Sequence, residues 1–169
     1  MEEIVNRVSK SKLVTIDLED YLQDEVEVTG LDIRDQLHMG IVLKESEFRE
    51  FIKEKDWGQY KGKAVAIYCS TDAIIPTWAF MLLAIALSPY AVKVFFGREE
   101  KLREAMLEEA IDAIRVEEYR DAKVVIKGCS VKAVPVSAYV KLTEKLTPVV
   151  KSIMYGEPCS TVPLYKAGK

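Results

Sequence analysis

The feature that most constrains this chain is an alternation that begins at Lys61. A short apolar run, KAVAIYCS, reaches Cys69 and gives way to a helical stretch from Pro76 to Ser88. A second run, YAVKVFFG, is followed after Gly97 by the charged amphipathic stretch REEKLREAMLEEAIDAI, and a third, AKVVIKGCS, reaches Cys129. Parallel strands cannot be joined by a tight hairpin, so strand, helix, strand, helix, strand is the pattern of a parallel sheet with right-handed crossovers. The expected fold class is therefore α/β. It is read as a single domain over residues 1–169, with a mostly parallel sheet built from β-α-β-α-β units and a mixed N-terminal β/α extension. A chain of 169 residues suffices for one sizeable core.

Within the extension, KLVTIDL alternates like a strand, and GLDIRDQLHMGIVLKE has room for two more strands around Met39-Gly40. Ser46 is placed to cap a helix, EFREFIKEK, with Phe48, Phe51 and Ile52 on one face. In the charged helix, Leu102, Met106, Ala110 and Ile114 form the expected buried stripe. No solenoid period is visible. Near the end, Pro148 interrupts a helical stretch that starts at Pro135. With Thr147 as N-cap, a second helix is expected to restart there.

The stretch WAFMLLAIAL, Trp78 to Leu87, has no polar face. It is about half the roughly twenty residues needed to span a bilayer, so it reads as a core helix and no membrane association is expected. A helix apolar all round must be covered on all sides, and in a chain this short that predicts a homodimer. Net charge is -3, with both signs interleaved, so nothing marks a nucleic-acid surface. The opening MEEIVNRVSK has no apolar core of a secretory signal, and three cysteines, an odd number, fit a reducing cytoplasm with free or metal-bound thiols.

Each cysteine precedes a serine: Cys69-Ser70, Cys129-Ser130 and Cys159-Ser160, in a chain with nine serines. Cys69 and Cys129 each follow an expected parallel strand, at the carboxyl edge where open α/β sheets bind ligands. A returning second helix would bring Cys159 to the same edge. Soft thiolates select zinc, Cu(I) or iron–sulfur clusters. The wide spacing argues against a zinc ribbon built from close pairs and suits a site assembled from separate loops. A fourth position could be filled by Asp72, His38, Glu157, water or a substrate. Ser70, Ser130 and Ser160 could hydrogen-bond the sulfurs or cap the local turns.

Two other readings compete. A reactive thiol is conceivable at Cys69, close before a helix, but it needs a histidine and the chain has only His38. Alternatively, all three cysteines are small buried residues. Among the remaining candidates, Asp72 reads first as a helix cap, Lys127 could neutralise an anionic ligand, and Glu157 is a turn residue or a base. Trp57, Tyr60 and Trp78 read as packing. No glycine-rich nucleotide motif is present.

The blocks CSTDAIIPTWAFMLL, VIKGCS and GEPCSTVPLYK, with the upstream GIVLKESEFREFI and Asp56-Trp57, resemble a family of uncharacterised bacterial proteins, a domain of unknown function. The resemblance runs from Gly40 to Lys166, and the family's cysteine motifs fall on Cys69, Cys129 and Cys159. It implies a connection to sulfur-mobilising iron–sulfur cluster assembly, and so assembly proteins as partners, but no activity. The resulting expectation is a cytoplasmic protein that handles metal, with an iron–sulfur cluster or zinc on its three thiols. The competing class is a non-catalytic protein-interaction module with structural cysteines.

Overall fold

The structure, a computed structural model, describes residues 13–128, 131–157 and 159–168. The chain is α/β, with four α-helices and two mostly parallel sheets among the described residues. It divides into two compact units. An inserted unit runs from Gln23 to Ala105, and a split unit takes the chain up to Leu22 and again from Met106.

The inserted unit contains β2 (Val28–Asp32), α1 (Glu45–Glu54), β3 (Ala64–Tyr68), α2 (Thr77–Leu87) and β4 (Lys93–Phe96). Its strands lie in the order β2-β3-β4, all parallel. The split unit contains β1 (Leu13–Ile16), β5 (Lys123–Ile126), α4 (Val136–Leu146), β6 (Ser152–Glu157) and β7 (Ser160–Lys166). Here β1, β5 and β6 are parallel, and β7 folds back antiparallel on the outside of β6. Helix α3 (Glu99–Asp112) leads from β4 towards β5, and the division between the units falls within it.

The two units repeat one another at a constant offset of 59 residues, the step from Thr77 to Val136. Helices α2 and α4 correspond at both ends, β3 and β5 start at corresponding residues, and so do β4 and β6. Loop bonds correspond as well. Gly62 N–H donates to Tyr90 O and Asp121 N–H to Val149 O, each at 3.0 Å. Both donor residues have left-handed backbones, φ 76° at Gly62 and 58° at Asp121. Gly97 and Gly156 correspond too, with φ 137° and 125°, a region open only to glycine. β1 and β2 play the same part, each flanking the central strand of its sheet.

The same side chains make both cores. Val65 and Ile67 of β3 pack with Ala79, Leu83 and Leu87 of α2 and with Phe48 of α1. Val124 and Ile126 of β5 pack with Ala138, Leu142 and Leu146 of α4 and with Leu107 and Ile111 of α3. Aromatic edges seal both helices to the third strand: Phe80–Phe96 centroids are 4.8 Å apart and Tyr139–Tyr155 centroids 5.8 Å.

Several expectations are corrected. The three apolar runs do not share one sheet: β3 and β4 belong to the inserted unit and β5 to the split unit. Around Met39-Gly40 there is only a tight turn closed by a single His38–Val42 bridge, both turn residues being left-handed. The strand of that region is β2, which lies earlier and pairs with β3. Helix α1 starts at Glu45 with Lys44 as N-cap, so Ser46 caps nothing. Thr147 does not restart a helix. Its hydroxyl donates back to Thr143 O at 2.7 Å, and the chain turns into β6, whose partner is β5. In α3 and just beyond it, Leu102, Met106 and Ile114 are buried as expected, Leu107 and Ile111 join them, and Ala110 is only half-buried.

Equivalent core positions should respond alike. Leu83→Ala and Leu142→Ala, both fully buried, should each cost about 2–5 kcal/mol in urea unfolding. Met81→Ala, on the exposed side of α2, should stay within about 0.5 kcal/mol of the parent.

Candidate functional site

At the end of the first described strand of each unit stands an aspartate flanked by apolar residues, directly after β1 in Ile16-Asp17-Leu18 and as the last residue of β2 in Leu31-Asp32-Ile33. Both carboxylates accept the N–H two residues on, Asp17 from Glu19 and Asp32 from Arg34, each at 3.0 Å. Both also reach across to the loop leaving the central strand, and that is where the units differ.

In the inserted unit, Asp32 accepts the Ser70 N–H at 3.0 Å and bonds the Ser70 hydroxyl. Burial pushes the Asp32 carboxyl up, but the Ser70 and Arg34 hydrogen bonds and the Arg34 charge outweigh it and hold the group below its usual range. Ser70 thus fastens the loop to β2 and does not tune a sulfur. The Cys69 sulfur faces Thr71 instead, at 3.2 Å from its hydroxyl oxygen. Beside it, the Arg98 guanidinium stacks over the Tyr68 ring at 4.9 Å. Burial and the Glu99 and Asp32 charges raise the Tyr68 phenol, with Arg98 opposing. Gly30 makes room for Glu99, since a Cβ there would overlap its carboxylate.

In the split unit, the corresponding carboxylate holds Lys127, Nζ to Asp17 Oδ2 being 2.7 Å. This bond lowers the Asp17 pKa and raises that of Lys127, to which the Glu157 and Glu19 charges add more weakly. Lys127 is therefore already engaged by Asp17. Glu19 Oε1 accepts the Lys132 N–H at 2.8 Å, drawing the loop after β5 towards β1. Tyr155 donates to Gly128 O at 3.4 Å. The tip between β6 and β7 carries Glu157 and Cys159 at the same carboxyl edge. Cys159 is exposed, whereas Glu157 has its Oε1 shut off from solvent with no hydrogen-bond partner among the described residues. Gly156 shapes this tip, because a Cβ there would come within 2.5 Å of Ser160 O.

Thus β6, in place of the expected helix, returns Cys159 to the sheet edge, while Cys69 lies at the edge of the other sheet. Cys129 and Ser130 lie outside the described residues. Ser160 is exposed and pairs in register with Glu157. Asp72 is exposed and does not cap α2, whose N-cap is Pro76. His38 sits in the Met39-Gly40 turn with Nδ1 3.7 Å from Glu47 Oε2. Trp57, Tyr60 and Trp78 pack in the core of the inserted unit, with Trp57 Nε1–H donating to Ile52 O at 2.8 Å. Among the described residues, no three His, Cys, Asp or Glu side chains gather as a metal-ligand set, and no helix is long and apolar enough to cross a membrane. Asp17 and Asp32 are the edge residues that sequence reasoning missed. The shared apolar-Asp-apolar pattern was their only signal.

These features define an α/β protein with two copies of a parallel unit, each closed at its carboxyl edge by a strand-end aspartate. The chain belongs to the family described as "Protein of unknown function (DUF2480)", whose family model matches residues 2–167. No curated protein and no solved structure is a significant match.

The Asp17–Lys127 pair has a pH signature. The folded pKa of Asp17 lies below its free value, so its contribution is present above the free carboxylate range and is lost as pH falls through the folded value. Lys127 is raised, so its contribution holds below the free lysine value and is lost as pH rises through the folded one. Asp17→Asn, which keeps the cap but removes the charge, should be less stable than the parent at neutral pH. The gap should close as acid protonates Asp17 in the parent, as read by urea unfolding across a pH series.

Proposed function

We propose that this protein binds a soft metal centre, zinc or an iron–sulfur cluster, at the carboxyl edge of the split unit, with Cys159 and Glu157 among the ligands. The observation that carries this reading is Glu157 Oε1, a carboxylate oxygen removed from water and given no donor among the described residues. Leaving such a group unpaired is costly, and a bound cation relieves the cost. Cys159 is two residues away, an exposed thiol on the same tip. In sequence, Cys129 follows directly on Gly128, to which Tyr155 of β6 donates, and it is the third ligand of the proposal. Thiolates with one carboxylate suit zinc or iron, and an incomplete set on an exposed tip suits a protein that takes up and hands on its metal. Cys69, fastened in the other unit, is left out.

A second reading, a non-catalytic interaction module working as a homodimer, is favoured by the outer face of α2, where Met81 and Ile85 stand in solvent. Metal analysis separates the two. Protein purified without oxygen should carry stoichiometric iron or zinc, with absorbance near ~400 nm if the centre is a cluster. Cys159→Ser and Glu157→Gln should lose the metal, and Cys69→Ser should keep it. Protein that stays free of metal after reconstitution, or that loses it only on Cys69→Ser, would overturn the proposal.

A further inference from the structure

The sheet of the split unit has two faces. Val124, Ile126 and Ile153 are on the face that packs with α3 and α4. Side chains alternate along a strand, so Lys123, Val125, Ser152 and Met154 lie on the other face. With Leu13 of β1 and Lys166 of β7 they line a groove of about 620 Å³, a size that suits a small organic ligand. Val125 is 2% exposed and Met154 half-buried, so the floor is apolar and recessed. One end is cationic. Leu13, Lys123, Ser152 and Lys166 stand in one register row across the four strands. Lys123 and Lys166 thus flank Ser152, with backbones roughly two strand spacings, about 10 Å, apart. Lys151, next to Ser152, also lines the groove. Among the described residues, none of these three lysines has an acidic partner, the lining holds no Asp or Glu, and the Ser152 hydroxyl makes no hydrogen bond. Lys63, Lys127 and Lys141, by contrast, each hold a carboxylate at 2.6 to 2.7 Å. The residue corresponding to Lys123 in the inserted unit is Ala64, fully buried, so the fold itself does not require a lysine there.

We infer that this groove binds a small amphipathic anion, a phosphate or carboxylate head on an apolar body. Three like charges around one groove repel one another, and an anion set among them turns that repulsion into attraction. The head belongs among Lys123, Lys151 and Lys166, whose flexible stems each carry three donors. The Ser152 hydroxyl, between two of them, adds a further donor. The apolar body then covers Val125 and Met154, the next residues on the same face, and removes them from water. A recessed apolar floor suits a dissolved molecule entering the groove, whereas a membrane surface calls for apolar side chains that protrude. Lys123 and Ser152 open their strands, and Leu13 opens β1. The cationic end therefore lies at the amino ends of the parallel strands, away from the carboxyl edge that carries Cys159, and the inference is independent of the metal reading.

The test is calorimetric titration of the full chain with octyl phosphate, kept below its micelle concentration. The parent should bind it at a single site. Octyl glucoside, with the same tail and no charge, and inorganic phosphate, with the charge and no tail, should each bind at least about tenfold more weakly. The double variant Lys123→Glu/Lys166→Glu should weaken octyl phosphate binding at least about tenfold. Lys61→Glu, at an exposed position of the inserted unit, should leave it unchanged, and so should Cys159→Ser, which removes a ligand of the proposed metal centre. The parent's affinity should also fall as salt is raised, a reading that does not depend on any variant folding. Absence of binding, an affinity indifferent to salt and to the paired reversal, or an equal loss in Lys61→Glu would overturn the inference. Binding confined to vesicles of phosphatidic acid would overturn it too, because the anion would then be recognised at a membrane surface and not in the groove.

Discussion

A parallel strand ends on the side of the sheet opposite to where its neighbour must begin, and the chain has to cross the sheet to get back. Everything in this protein follows from meeting that requirement with one solution used twice. The crossing helix must bury one face, which fixes the small-large-large set Ala79, Leu83 and Leu87 and its counterpart Ala138, Leu142 and Leu146. It also leaves the loop from the central strand hanging at the carboxyl edge, where its polar backbone needs partners. A strand-end aspartate provides them, bonding the Ser70 loop directly in one unit and holding Lys127 beside the Gly128 loop in the other.

The units agree where packing dictates the residue and diverge where it does not. Val65 and Val124, Ile67 and Ile126, and Gly97 and Gly156 are identical across the offset. Tyr68 and Lys127, at corresponding strand ends, sit in quite different electrostatic surroundings. One faces Arg98 and Glu99, the other Asp17 and, more weakly, Glu157 and Glu19. The outer faces of α2 and α4 have also parted, Ile85 against Glu144. The two units share one scaffold and differ in the residues at their carboxyl edges.

Much of the fold was legible because β3 and β5 are buried strands that read as unbroken apolar runs, KAVAIY and AKVVI. Legibility failed where the deciding contact is distant. β6 looks helical after Pro148 until β5 is beside it, since only that ladder selects an extended chain for SIMYGE. The partition into two sheets depends on β1 choosing β5 over β3, a pairing of Leu13 with Lys123 that no local pattern announces. The candidate site was legible in kind but not in grouping. Cys159 and Glu157 share a tip because of β7, whereas Cys69 follows a strand of the other sheet. Asp17 and Asp32 escaped notice because an aspartate at the end of a short strand looks like an ordinary turn residue.

The nesting of one unit inside the other sets an order of assembly during synthesis. The inserted unit, Gln23 to Ala105, is contiguous and has every strand of its sheet as soon as β4 is made. Among the described strands β1 is made before the inserted unit, yet its partner β5 is made only after it. Chains grow N-terminus first, and distant pairings are slow to close. Strand β1 thus waits for β5 to be made before it can pair, while the inserted unit already has its sheet complete.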